Sequence, residues 1–185
     1  QDANIDSNGN LISVAINSSS SEGPTDDFRI KPDITGNGTD VYSSFDFASF
    51  AMNPGAPNLS DGNTDDDYYS ISGTSMSGPN VAGSLLLLQQ HHKNLNNGDF
   101  MKAATLKGLA LHTADDAGAS GPDAVFGWGL LNTKRAAETI TKKGNQSKME
   151  ELTLSSGQTY TITVQSDGTS PLLASISWTD RPGTA

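Results

Sequence analysis

One stretch limits the fold of this chain more than any other. It runs Ser72-Gly73-Thr74-Ser75-Met76-Ser77-Gly78-Pro79-Asn80-Val81-Ala82-Gly83 and passes without a break into Ser84-Leu85-Leu86-Leu87-Leu88-Gln89-Gln90. Small residues crowd its start, and its second half is apolar nearly all round, the pattern of a helix buried inside a larger fold. Pro79 fits only in the first turn, where its missing N–H has no intrahelical partner to lose. The helix is therefore expected to begin close to Ser75. Leu85 to Leu88 is the longest unbroken apolar run, far short of the roughly 20 residues a bilayer span needs, so no membrane partner is expected.

A serine at the mouth of a buried helix has two readings. The commoner is an N-cap. The other is a nucleophile, because unsatisfied backbone N–H groups and the positive end of the helix dipole would stabilise the oxyanion formed on acyl attack. The two roles are compatible. Ser77 occupies the place where a nucleophile elbow of the Gly-x-Ser-x-Gly type needs glycine, so that architecture is disfavoured.

Composition narrows the partners. With 11 basic and 21 acidic residues the net charge is -10, which repels nucleic acid and anionic lipid. The absence of Cys removes thiol chemistry and disulfides. The acidic, Asn-rich, Cys-free make-up suits an exported bacterial protein. At 185 residues the chain can hold one core, or one domain and a fragment of another.

Elsewhere the pattern is mixed. Residues 1–10 are polar and Gly/Asn-rich, Leu11 to Ile16 reads as a buried strand, and Val41-Tyr42-Ser43 as an extended segment after a tight turn at Gly36-Asn37-Gly38. Asn53 to Tyr69 reads as an acidic loop. A second helix is expected from about Asp99, as N-cap, to His112, and a third from Thr133 to Ile140 capped by Asn132. Beyond Gln146, alternation predicts strands at Leu152 to Leu154, Tyr160 to Val164 and Leu172 to Trp178. Trp128 and Trp178 read as core anchors.

The Ser72 to Gly83 stretch resembles the active-site serine segment of the subtilisin-like serine proteases, the subtilase family (peptidase S8). Lys31-Pro32-Asp33-Ile34 with Gly38 and Val41-Tyr42-Ser43 upstream, and Gly127-Trp128-Gly129-Leu130-Leu131-Asn132 followed by Ala136-Ala137 downstream, resemble further family blocks in the family's order. The resemblance implies an α/β fold, the three-layer α/β/α subtilisin-like architecture with a parallel sheet. Residues 1–145 would be the C-terminal portion of the catalytic domain, and 146–185 the truncated start of a β-sandwich. It further implies a secreted bacterial endopeptidase acting on protein or peptide substrates, with Ser75 as catalytic serine and its own N–H as an oxyanion donor. Met76 would be a bystander beside the nucleophile. Asn80 stands where the family usually has His, at a position packed behind the nucleophile, and would alter the hydrogen bonding there.

The family's order is Asp, His, then Ser, yet no His precedes Ser75: His91, His92 and His112 all come after it. The triad Asp and His and the oxyanion Asn are thus expected upstream of Gln1, and this chain alone is expected to be inactive and to fold poorly. His91 and His92 read as surface residues capping the helix C-terminus, and His112 as structural. Asp61-Gly62-Asn63-Thr64-Asp65-Asp66-Asp67 begins like a calcium loop but lacks its later Gly and Glu. A solvated acidic loop is favoured there; no cofactor is required, and structural calcium stays open. The alternatives to a protease are a non-catalytic subtilase-like scaffold and a β-rich adhesion module carried by residues 148–185.

Overall fold

The structure is a computed structural model and describes residues 2–8, 10–44 and 68–179. The described elements, in chain order, are β1 (Asp2–Ile5), β2 (Leu11–Ala15), β3 (Val41–Ser44), β4 (Tyr68–Ile71), α1 (Thr74–Leu95), α2 (Ala103–His112) and α3 (Thr133–Thr141). The chain is thus mixed α and β. It divides into two compact units, residues 1–84 with 115–131, and residues 85–114 with 132–185.

In the first unit β1 pairs antiparallel with β2, with a register shift between Asn4 and Ile5. The polar, Asn-containing start thus forms half of a hairpin. Its turn is organised by Asp6, whose Oδ1 accepts the N–H groups of Asn8 and Asn10, both at 2.8 Å. Leu11–Ala15 is a strand as expected but not a buried one: Ile12 is exposed, because the described residues give it a single partner and no covering layer. β3 pairs antiparallel with β4 in the register Val41 to Ile71 and Ser44 to Tyr68. The strand at Tyr68–Ile71 replaces the end of the expected loop, its Tyr and Ile suiting a pleated surface. The rings of Tyr42 and Tyr68 stack across this hairpin with centroids 5.5 Å apart.

Among the described residues both sheets are two-stranded and antiparallel. Parallel pairing is confined to isolated bridges, among them Thr35 with Leu130, whose other side pairs antiparallel with Asp115.

In the second unit three helical stripes meet. Leu88 from α1, Leu109 from α2, and Ala136 and Ile140 from α3 close on Met101, with Leu85, Leu106, Ala137 and Met149 packed against them. The spacings 85/88, 106/109 and 136/137/140 place each set on one helical face. Full burial of Leu88 and Ile140 contributes about 1.5–3 kcal/mol each. Leu86 and Leu87 are 70% and 61% exposed, so α1 is not buried all round among the described residues.

α2 begins at Ala103 rather than after Asp99. Gln89 holds the peptide of Met101 from both sides, its Oε1 accepting from Met101 N and its Nε2 donating to Met101 O, each at 2.9 Å. That clamp keeps residues 99–102 off the helix. The cap comes from a distance: Glu151 Oε1 accepts from Lys102 N at 2.7 Å and Thr105 Oγ1 at 2.6 Å. α3 matches expectation, with Asn132 Oδ1 accepting from Arg135 N at 2.8 Å.

The expected strands after Gln146 form no ladder among the described residues, and residues 151–179 are exposed. An alternating segment satisfies its backbone as a strand only against a partner edge, and the described residues offer none. Trp128 and Trp178 are 44% and 65% exposed, not core anchors.

Candidate active site

The nucleophile candidate is placed by a strand–turn–helix passage. Where β3 and β4 converge, Asp40 N donates to Ser72 Oγ at 2.8 Å and Ser72 Oγ donates to Asp40 Oδ1 at 3.1 Å. One residue on, Gly73 N donates to Gly38 O at 2.7 Å, and Gly73 O accepts from Met76 N and Ser77 N, starting α1. Ser77 Oγ donates to Gly36 O at 2.8 Å.

Gly36 and Gly38 serve close approach rather than turn dihedrals. A Cβ on Gly38 would lie 2.7 Å from Gly73 O and 2.8 Å from Ser77 Cβ; one on Gly36 would lie 2.5 Å from Val81 Cγ2. Only bare backbone lets this segment lie against the first turns of the helix.

The segment is held in turn by the downstream block. Trp128 N donates to Asp33 O at 3.0 Å, Thr35 N to Gly129 O at 3.0 Å, and Leu131 N to Thr35 O at 2.9 Å. The buried Thr35 hydroxyl also donates to Gly129 O at 3.0 Å. Gly127, at φ 64, passes so near Pro32 that a Cβ would sit 2.2 Å from its carbonyl oxygen. Asp123 shapes the approach to Gly127 by accepting from the N–H groups of Phe126, Val125 and Ala119. The Phe126 amide above all, with the other two, holds this carboxyl below its ordinary range against the opposing effect of burial. The three sequence blocks thus form one connected frame: 127–131 grips 33–35, and 36–38 grips 72–77.

Ser75 lies in the first turn of α1, exposed. Among the described residues its hydroxyl makes no hydrogen bond and its N–H has no carbonyl acceptor, which leaves a donor at the positive end of a helix. The Met76 sulfur comes within 3.6 Å of the Cβ position of Gly73. Asn80 is exposed, and among the described residues its side chain makes no hydrogen bond.

Each of the three histidines has a partner within the second unit. His91 Nε2 bonds Thr141 Oγ1 at 2.9 Å and His112 Nδ1 bonds Ser175 Oγ at 2.7 Å. His92 is buried rather than on the surface, its Nδ1 donating to Asp99 O at 3.1 Å. The acidic run 61–67 lies outside the described residues. Among the described residues no group of three or more His, Cys, Asp or Glu could hold a metal ion, and no helix is long and apolar enough to cross a membrane. Ser72, Ser77, Asp40 and Asp123, which build the frame, carry no sequence signal beyond their place beside the glycine-rich blocks.

The family model of the subtilases, peptidase S8, matches residues 4–129. Serotype-specific antigen 1 of Mannheimia haemolytica is 30% identical over 109 residues, covering 59% of this chain and 10% of its own length. The extracellular serine protease of Serratia marcescens is 32% identical over 103 residues, covering 54% of this chain and 9% of its own. This chain therefore spans about a tenth of the length of these relatives. Among solved structures, the CspB protease of Clostridium perfringens superposes with a TM-score of 0.49 at 21% identity, over 65% of this chain and 23% of that one. With the matched region taking in all of residues 31–34 and 72–83 and most of the described first unit, the chain belongs to the subtilase family.

Proposed function

We propose that this chain is the nucleophile-bearing part of a secreted serine endopeptidase. Ser75 Oγ attacks the scissile carbonyl, its own N–H receives the developing oxyanion, and an acyl-enzyme forms and is hydrolysed. The observation that carries the reading is the frame itself: three separated blocks hold the first turn of α1 and leave the Ser75 hydroxyl exposed and unbonded. The cap position is taken by Gly73, whose carbonyl accepts the first helical amides, so the Ser75 hydroxyl is not spent as a cap.

A serine hydroxyl needs a base to take its proton, and no His precedes Ser75 in the sequence. The base, the carboxylate that orients it and the second oxyanion donor are therefore assigned to residues outside this chain, and residues 1–185 alone are expected to be inactive. By the same reading residues 1–145 belong to the catalytic α/β/α domain and its parallel sheet, and 146–185 open a β-sandwich. The protein acts outside the cell on protein or peptide substrates, as the name of the Serratia relative suggests, and needs no cofactor. A fluorophosphonate probe applied to the intact protein tests the proposal. Labelling mapped to Ser75 is the expected result, and an intact, folded protein that stays unlabelled would make this a scaffold.

A further inference from the structure

The sequence holds three Asn-Gly pairs, at 8–9, 37–38 and 97–98. Asparagine directly before glycine is chemically labile, because a residue without a Cβ lets its own amide nitrogen reach the preceding side-chain carbonyl. Whether a folded protein permits the reaction depends on that nitrogen. Gly98 N donates to Lys93 O at 3.0 Å, which ties it down. Gly38 N has no acceptor among the described residues, while Asn37 is exposed and its Oδ1 meets only Thr39 N, at a long 3.5 Å.

We infer that Asn37 is a spontaneous modification site, a deamidation clock set into the frame that holds Ser75. Hydroxide removes the Gly38 amide proton and the nitrogen attacks Asn37 Cγ. The Cγ–Nδ2 bond breaks, ammonia departs with a proton from water, and a succinimide remains. Water then opens either carbonyl, giving Asp or, when the backbone carbonyl is cut, isoaspartate. No electrons are exchanged, and solvent water is the sole co-reactant.

The neighbours set the consequence. Isoaspartate inserts a methylene into the main chain between Gly36 and Gly38, and these two glycines grip α1 through Gly36 O to Ser77 Oγ and Gly38 O to Gly73 N. Neither can shift independently, since the Cβ positions of both already touch the helix or its turn. Conversion also adds a negative charge near Asp40, which is bonded to Ser72. The first turn carrying Ser75 is therefore displaced. This consequence, though not the modification, rests on Ser75 being the nucleophile. A misplacement of about 1 Å can lower a reaction rate about 100-fold, and a loss of that order is expected in fully converted protein.

The test is mild alkaline ageing of the intact protein, then peptide mass mapping with isoaspartate detection and fluorophosphonate labelling. Asn37 should gain the mass of an amide-to-acid exchange well before Asn97, faster at higher pH. Labelling of Ser75 should fall in step, and N37S should keep its labelling through the same incubation. An unchanged Asn37, or Asn97 reacting as fast, would overturn the site. Conversion with labelling undiminished would overturn the coupling. If fresh protein never labels, the protease reading has failed, and the mass map still decides the modification.

Discussion

At the scale of single residues, the site is made by what is missing as much as by what is present. Gly38 lacks a Cβ where one would lie 2.7 Å from Gly73 O. Gly38→Ala is therefore expected to destabilise the intact protein by about 1–3 kcal/mol, the usual cost of forcing atoms into a packed place. A urea midpoint lowered by that amount, with slower Ser75 labelling, is the expected outcome; an unchanged midpoint would show that the segment yields. Met76 offers a second test. Oxidising its thioether puts a polar oxygen beside Ser75, so peroxide should lower activity, and full activity after Met76 is shown to be sulfoxide would contradict this. The glycine blocks were legible in the sequence because backbone contact tolerates so few residue types. Ser72, Ser77 and Asp40 were not, since a surface serine or aspartate has the same local signal whether or not a distant carbonyl or amide waits for it.

Elements show where local signals end. α3 could be placed from Asn132 and the apolar spacing beyond it, and its cap bond to Arg135 N is present; Asn132→Ala should cost about 1 kcal/mol, read as a urea midpoint. α2 could not, because Gln89 and Glu151 act on its start from 12 and 49 residues away. Glu151 gives this a pH signature. Burial alone would raise its pKa, but the Thr105 hydroxyl and Lys102 amide, with the Lys102 charge, hold it below the ordinary 4.5. A carboxyl lowered on folding stabilises fully above its unfolded pKa and loses that contribution as pH falls through the folded one. The stability gap between wild type and Glu151→Gln should thus be complete above about pH 5 and close at lower pH; a gap independent of pH would sink this account of the cap. The strands expected after Gln146 rested on alternation, which marks a face but names no partner edge.

For the molecule as a whole, the frame around Ser75 is complete while the chemistry is not. By the proposed reading the described chain supplies a nucleophile, one oxyanion donor and the blocks that hold them, and the sequence has no His before Ser75. Leu86 and Leu87 stand exposed on α1, where the sequence pattern expects a helix buried all round. Residues 1–185 by themselves should accordingly remain unlabelled by fluorophosphonate, and labelling of the isolated chain would show a base within it. By the proposed reading the Ser75 oxygen performs the attack. Casein hydrolysis by the intact protein, wild type against Ser75→Ala at equal folded concentration, tests it most directly: the account predicts that the variant falls to background, and cleavage at the wild-type rate would contradict it.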